Sequence, residues 1–128
     1  RGVQVLELQG DLRFATLEPV LREVAATAAG REALLLDFKR VGHADEAATR
    51  LLARLIEQCA ERGEQVVLTR VRRGELLAGL GSEVAPRHAR AYGFQAQLDL
   101  GIEACERALL ARHGGQHTPA ALGALAEH

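Results

Sequence analysis

The stretch ALLLDFKRVGHADEAATRLL, residues Ala33 to Leu52, decides the fold of this chain. Its first six residues are apolar except for Asp37. A run without polar alternation predicts a strand that is covered on both faces, as strands of parallel sheets are. A short loop follows, and the acidic pair Asp45 and Glu46 then opens a segment with helical periodicity. The stretch therefore predicts a strand that leads into a helix, the repeating unit of an α/β layer.

Four further stretches have the pattern of extended chain. Val3 to Leu8 is rich in apolar residues with polar ones between them, Gly10-Asp11 is a turn signal, and Leu12 to Ala15 is a brief second extended piece. Gln65 to Thr69 and Tyr92 to Phe94 are the other two predicted strands. We expect one α/β domain with a central mixed, mostly parallel sheet of four to five strands. The first strands are able to pair antiparallel at one edge.

About four helices should flank the sheet, because four segments carry apolar residues at helical spacing. These segments are Leu17 to Val24, Ala48 to Cys59, Leu76 to Leu80 and Leu98 to Leu109. Thr16, Asp45 and Asp99 are suited to cap the first, second and fourth helices. Either Gly79 or Gly81 is expected to end the third helix, and Ser82 to Ala91 to form a loop.

Length and charge restrict the class of protein. The chain has 128 residues and a net charge of −1, which argues against a dedicated nucleic-acid binder. It contains no 18-residue apolar run, so we expect no direct membrane insertion. The absence of Met and the start at Arg1 lead us to expect a fragment of a longer protein, and two cysteines interpreted as buried and unpaired fit a cytoplasmic location. We predict a domain over residues 1–112 and a flexible C-terminal tail over residues 113–128.

The residues that carry chemistry are few, and we predict no catalytic residue, cofactor or metal. Ser82 is the only serine and Lys39 the only lysine, so an S-x-x-K nucleophile is excluded. His113 and His117 have ligand-like spacing, but two glycines separate them and no third ligand is near. The two cysteines, Cys59 and Cys105, are interpreted as small buried apolar residues. A group of arginines is interpreted as a solvated or salt-bridging face, with a docking surface for an acidic partner as the alternative: Arg70, Arg72, Arg73, Arg87 and Arg90.

The chain resembles the STAS domain (sulphate transporter and anti-sigma-factor antagonist) over roughly residues 3 to 112. The resemblance is carried by Gly10-Asp11-Leu12 after the first strand and by Asp37, Phe38 and Val41 at the end of the next. Gly63 before Val66 to Leu68 and the final stretch DLGIEACERALL also match. The resemblance implies a non-catalytic regulatory or protein-interaction module.

One position departs from the family pattern. In anti-sigma-factor antagonists the loop before the long helix reads D-S-S-G, and its second serine accepts phosphate from a kinase. By resemblance Asp45 matches the aspartate, Glu46 the first serine and Ala47 the phosphoacceptor, which is therefore lost. Thr49 lies two residues later and faces elsewhere on the helix. We predict a constitutive interaction surface formed by Gly42, His43, Asp45 and Glu46, with no metal ligand.

The same resemblance suggests hosts and partners. The D-E-A-A form is most like STAS domains fused to bacterial glutaminases, with sulphate-transporter-type anion carriers second. The expected partner is protein: other domains of the host chain, a second copy in a homodimer, or a regulator. The alternative function is a STAS domain that senses a nucleotide or a small anion near the same junction.

Overall fold

The computed structural model of the chain describes residues 2–72 and 74–112, except for the side chains of residues 75 and 77. The predicted tail, His113, His117 and Arg73 lie outside the described residues. The elements in chain order are β1 Val3–Leu12, α1 Phe14–Ala26, β2 Ala33–Ala44, α2 Glu46–Glu61, β3 Gln65–Thr69, α3 Glu75–Glu83, a 3₁₀ turn Pro86–Ala91, β4 Tyr92–Gln95 and α4 Leu98–Arg112.

The prediction of an α/β domain with a helix-flanked sheet is confirmed. The sheet has four strands in the order β1-β2-β3-β4, and each neighbouring pair is parallel. The predicted antiparallel pairing of the first strands is wrong. Gly10 and Asp11 lie inside β1 rather than in a turn, and α1 begins at Phe14, so the predicted extended piece from Leu12 to Ala15 does not form a strand of its own.

The core has two layers because side chains of β2 alternate between the faces of the sheet. Leu34 and Leu36 belong to the larger apolar cluster, which α1, α2 and α3 cover. Ala33 and Leu35 belong to a smaller cluster with Cys105 of α4 on the other face. The prediction that this strand is covered on both faces is confirmed.

Strand β2 continues six residues beyond the predicted apolar run, through two bulges. The partner in β2 moves from Asp37 to Arg40 while β1 advances only from Glu7 to Gln9. A second irregularity lies between Gly10 and Leu12 of β1. Each bulge inserts one extra residue. The core-facing residues of this half of the strand are therefore three apart instead of two: Phe38, Val41 and Ala44.

Three helix boundaries differ from the sequence-based expectation. Helix α3 continues through Gly79 and Gly81 and ends at Glu83, and the loop predicted after it contains the 3₁₀ turn. The N-cap of α1 is Arg13, whose main-chain N–H donates to the Thr16 hydroxyl at 3.1 Å. Asp99 lies inside the first turn of α4 rather than before it. Gly79 and Gly81 both adopt helical backbone, so neither of them ends α3.

Candidate functional site

The junction of β2 and α2 contains the predicted interaction residues, and Asp45 organises it. Asp45 is the N-cap of α2, as predicted, and its Oδ1 accepts the main-chain N–H of Ala48 at 2.8 Å. The Thr49 hydroxyl donates to the main-chain oxygen of Asp45 at 3.1 Å. A carboxylate at this position satisfies a free N–H and interacts favourably with the helix dipole. The first turn of α2 is therefore fixed by two side chains.

Asp11 of β1 ties the end of β2 in place. The main-chain N–H of His43 donates to Asp11 Oδ1 at 3.1 Å, and the main-chain N–H of Asp45 donates to the Leu12 carbonyl at 3.1 Å. A Cβ on Gly42 would lie only 2.8 Å from Asp11 Oδ1, so a glycine allows the carboxylate to approach. Both Gly42 and His43 belong to β2, and not to the loop that the sequence indicated.

Sequence reasoning missed the role of Asp11, which it assigned to a turn. The signal was present in the Gly10-Asp11-Leu12 motif, but the contact depends on the second bulge. That bulge leaves an extra main-chain N–H on β2, and the side chain of Asp11 accepts it. Unpaired main-chain donors of this kind are usually satisfied by a side chain or by water.

The exposed charge of the junction comes from Glu46, whose side chain is 80% exposed. It forms an ion pair with Arg50 one turn later, at 3.1 Å. Exposed pairs of this type contribute little stability. Ala47 is half-buried and has no hydroxyl, whereas Thr49 is buried with its hydroxyl already donated. The junction thus presents the carboxylate of Glu46, which needs no phosphorylation to be present. No accessible hydroxyl lies on α2 near Ala47.

Two cavities flank the junction, and His43 and Ala44 line both of them. The first is an open groove between α2 and α3, with a volume of ≈ 600 Å³. Its carboxylates are Asp45, Glu46 and Glu83. The second, which we call the β2 pocket, has a volume of ≈ 180 Å³. Its lining includes Phe38, Val41, Gly42, Val71, Arg72 and Leu76.

The arginine group predicted after β3 is only partly a free surface. Arg70 binds Asp37 at two points, and the bond from Arg70 holds the pKa of the Asp37 carboxyl below its usual range. Thr69 and Arg70 meet Asp37 because the register places Asp37 opposite Thr69. Arg72 is exposed and, within the described ranges, forms no ion pair. Arg87 and Arg90 lie on the 3₁₀ turn.

A second buried ionic group lies at the opposite end of the sheet, and sequence reasoning did not find it. Glu64 Oε1 accepts from Arg31 Nε at 2.7 Å, and Glu64 Oε2 accepts from Arg62 Nε at 2.6 Å. Burial alone would raise the pKa of Glu64, but the bonds from both arginines outweigh it and lower that pKa. This group links the chain before β2 to the chain before β3, and is structural.

The cysteines are buried, as predicted, and burial raises the pKa of both the Cys59 and Cys105 thiols to about 11. Thiols with so high a pKa are poor nucleophiles at neutral pH. Among the described residues, no group of three or more His, Cys, Asp or Glu side chains is arranged to hold a metal ion. No helix in the described part of the chain is long and apolar enough to cross a membrane.

Comparisons with known proteins agree with this architecture. The family model described as "Mlab, STAS domain" matches residues 1–81. The crystal structure of a sulfate transporter family protein from Wolinella succinogenes is similar, with a TM-score of 0.67 and 20% sequence identity. The similarity covers 85% of this chain and 88% of that chain. No curated protein sequence gives a significant match. At this identity the structural likeness supports the fold alone.

Proposed function

Because the chain belongs to the STAS domain family, we propose that it is a non-catalytic regulatory module that docks onto a protein partner. The docking surface is the β2–α2 junction, formed by Gly42, His43, Asp45 and Glu46. The observation that carries this proposal is that hydrogen bonds hold the main chain at both ends of the junction. Asp11 binds the main chain of β2, and Asp45 caps α2. A surface fixed in the free protein loses little conformational entropy when a partner binds.

The chemistry of the junction suits constant rather than switched docking. The resemblance places the family's phosphoacceptor at Ala47, which has no hydroxyl to accept phosphate. Glu46 instead carries a permanent negative charge beside that position. One carboxylate carries about one charge where a phosphate carries nearly two, so Glu46 replaces only part of the charge of a phosphoserine.

The groove between α2 and α3 indicates the complementary chemistry of the partner. Its walls contribute the carboxylates of Asp45, Glu46 and Glu83. Acidic surfaces favour basic partners through electrostatic complementarity. We therefore propose a partner segment that carries Arg or Lys side chains.

The host protein and its compartment are part of the proposal. The D-E-A-A form supports a cytoplasmic module of a bacterial glutaminase, and the sulphate-transporter-type carriers remain the second host. Within such a host, the partner is another domain of the same chain, a second copy of this chain, or a separate regulator. In each case the catalytic or transport chemistry belongs to another part of the protein.

The alternative function, sensing of a nucleotide or a small anion, remains a prediction. Two features of the junction count against a nucleotide. The larger groove has carboxylates in its walls, which repel phosphates. The β2 pocket, at ≈ 180 Å³, is smaller than the roughly 300–1,000 Å³ of sites that hold drug-sized ligands.

Site-specific cross-linking in the full-length host protein tests the docking proposal. A photo-reactive residue replaces Glu46 in one variant and Glu103, an exposed acid on α4, in the matched control. We expect residue 46, and not residue 103, to cross-link to one defined protein segment. Glu83→Arg should reduce that cross-link about tenfold, because it reverses a charge in the groove. Equal cross-linking from both positions, or phosphorylation of the junction by a kinase, would contradict the proposal.

A further inference from the structure

The β2 pocket lies where β2 extends past the end of β3. Four of its lining side chains are large and apolar: Phe38 and Val41 come from β2, and Val71 and Leu76 come from the segment that leads from β3 into α3. Phe38 and Val41 are buried, while Val71 and Leu76 are half-buried. An apolar wall favours an apolar occupant, since each buried methylene contributes roughly 0.8 kcal/mol to transfer from water. This part of the lining therefore favours a hydrocarbon group.

Cationic and polar groups contribute to the same lining. His43 and Arg72 both line the pocket. Arg70, two residues earlier, is held by Asp37, whereas Arg72 forms no ion pair with any described residue. A guanidinium binds a carboxylate through two parallel N–H donors, which a single lysine or histidine does not provide. Arg72 is thus the group suited to hold an anion at this pocket.

The size of the pocket limits the occupant. Its ≈ 180 Å³ is close to the roughly 150 Å³ of an engineered apolar cavity that binds benzene. A single aromatic ring or a short alkyl chain is of this size, whereas a nucleotide is too large. The neighbouring groove shares His43 but carries three carboxylates, so the two cavities differ in the charge they favour.

We propose that the β2 pocket is a binding site for a small carboxylate with an apolar body, of the benzoate or short-chain fatty acid class. The apolar body contacts Phe38, Val41 and Leu76, and the carboxylate binds Arg72. This inference does not rest on the docking proposal, because it uses a different cavity and a different kind of ligand, although Gly42 and His43 belong both to the docking surface and to the lining of this pocket.

Titration of the protein with benzoate, followed by NMR of the main-chain amides, tests the site. We expect saturable shifts in residues 41–44 and 71–72, with a millimolar Kd. Arg72→Ala should weaken binding about tenfold, because a charge-assisted contact is lost. Val71→Phe should remove the saturable shifts by filling the pocket. Arg72 is exposed, so its variant tests the site even where Val71→Phe fails to fold.

Two controls separate the proposed contacts from general association. Benzamide has the shape of benzoate without its charge, and we expect it to bind about tenfold more weakly. Arg54→Ala removes an arginine on α2 that does not line this pocket, and should leave the affinity for benzoate unchanged. The proposal is overturned if benzoate causes no saturable shifts, if the shifts lie elsewhere, or if benzamide or the Arg72→Ala variant binds as well.

Discussion

Asp37 and Arg70 are joined at two points across the ends of neighbouring strands. Arg70 Nε donates to Asp37 Oδ1 at 2.9 Å, and Arg70 Nη2 donates to Asp37 Oδ2 at 2.8 Å. The Thr69 hydroxyl donates to Oδ1 at 2.8 Å. Arg70 has a φ of 57°, in the left-handed region that residues other than glycine seldom adopt. The ion pair therefore stabilises the strained backbone at Arg70. The segment that leads to α3 begins there, and it forms one wall of the β2 pocket.

Removing the carboxylate should be costly. Asp37→Ala leaves the Arg70 guanidinium and the Thr69 hydroxyl without their acceptor. Loss of one partner from a buried pair costs about 3–5 kcal/mol. Because the Arg70 side chain is 29% exposed, we expect a smaller loss, about 2–3 kcal/mol, in the free energy of unfolding measured in urea. Glu103→Ala breaks an exposed pair on α4 and should change stability by less than about 0.5 kcal/mol. Equal effects of the two substitutions would contradict this role.

Stability should fall in acid through the same carboxylate. The pKa of Asp37 is lower in the folded protein than its ordinary value near 4, chiefly because Arg70 binds it. Its contribution is therefore complete above about pH 4 and is lost as the pH falls through the lower, folded-state pKa. Glu64, whose pKa is also lowered, acts in the same direction.

Urea unfolding between pH 7 and pH 3 measures this dependence. We expect Asp37→Asn to be less stable at pH 7 and to lose less stability toward pH 3 than the parent protein. Glu103→Gln, which removes an exposed carboxylate, should retain the steep acid dependence of the parent. An unchanged acid dependence in Asp37→Asn would show that Asp37 does not contribute to it.

Two glycines of α3 should respond oppositely to alanine. A Cβ on Gly79 would lie 2.7 Å from the Thr49 methyl carbon of α2, so Gly79→Ala forces the helices apart. Overpacking of this kind costs about 1–3 kcal/mol. A Cβ on Gly81 has no neighbour within 4 Å, so Gly81→Ala should stabilise α3 by about 0.5–1 kcal/mol. Thermal unfolding should show a lower Tm for the first variant and a higher Tm for the second. If both substitutions raised the Tm, or both lowered it, the packing described for these two glycines would be contradicted.

The contact between Asp11 and the second bulge can be tested by a double-mutant cycle. Gly42→Ala places a Cβ against Asp11 Oδ1, and Asp11→Ala removes that oxygen. Each single change should cost about 0.5–1.5 kcal/mol, the usual range for one hydrogen bond. Because both disrupt the same bond, the double variant should cost clearly less than their sum. Additive losses in urea unfolding would show that the two residues act independently.

The sequence predicted the regular parts of the fold because local pattern and burial agree there. The run from Ala33 to Phe38 is apolar except for Asp37, and the apolar stripe of α2 has the helical period; the structure buries both as expected. The extension of β2 was not predictable, since its bulges change the spacing of core residues from two to three. Asp45 was identified because an N-cap acts on its own helix. The partners of Arg70 and Arg31 were missed, because Asp37 and Glu64 are each 33 residues away in the sequence and come close only when the strands are aligned.

His43 and Ala44 line both the acidic groove and the β2 pocket, so the two cavities share one wall. An occupant that moves the shared wall of one cavity also changes the shape of the other cavity. The two binding equilibria are then thermodynamically linked. The linkage is reciprocal: if a carboxylate in the pocket alters the affinity for the docking partner by some factor, the partner alters the affinity for the carboxylate by the same factor. A metabolite-sized ligand would then act as an allosteric effector of docking, without any phosphorylation.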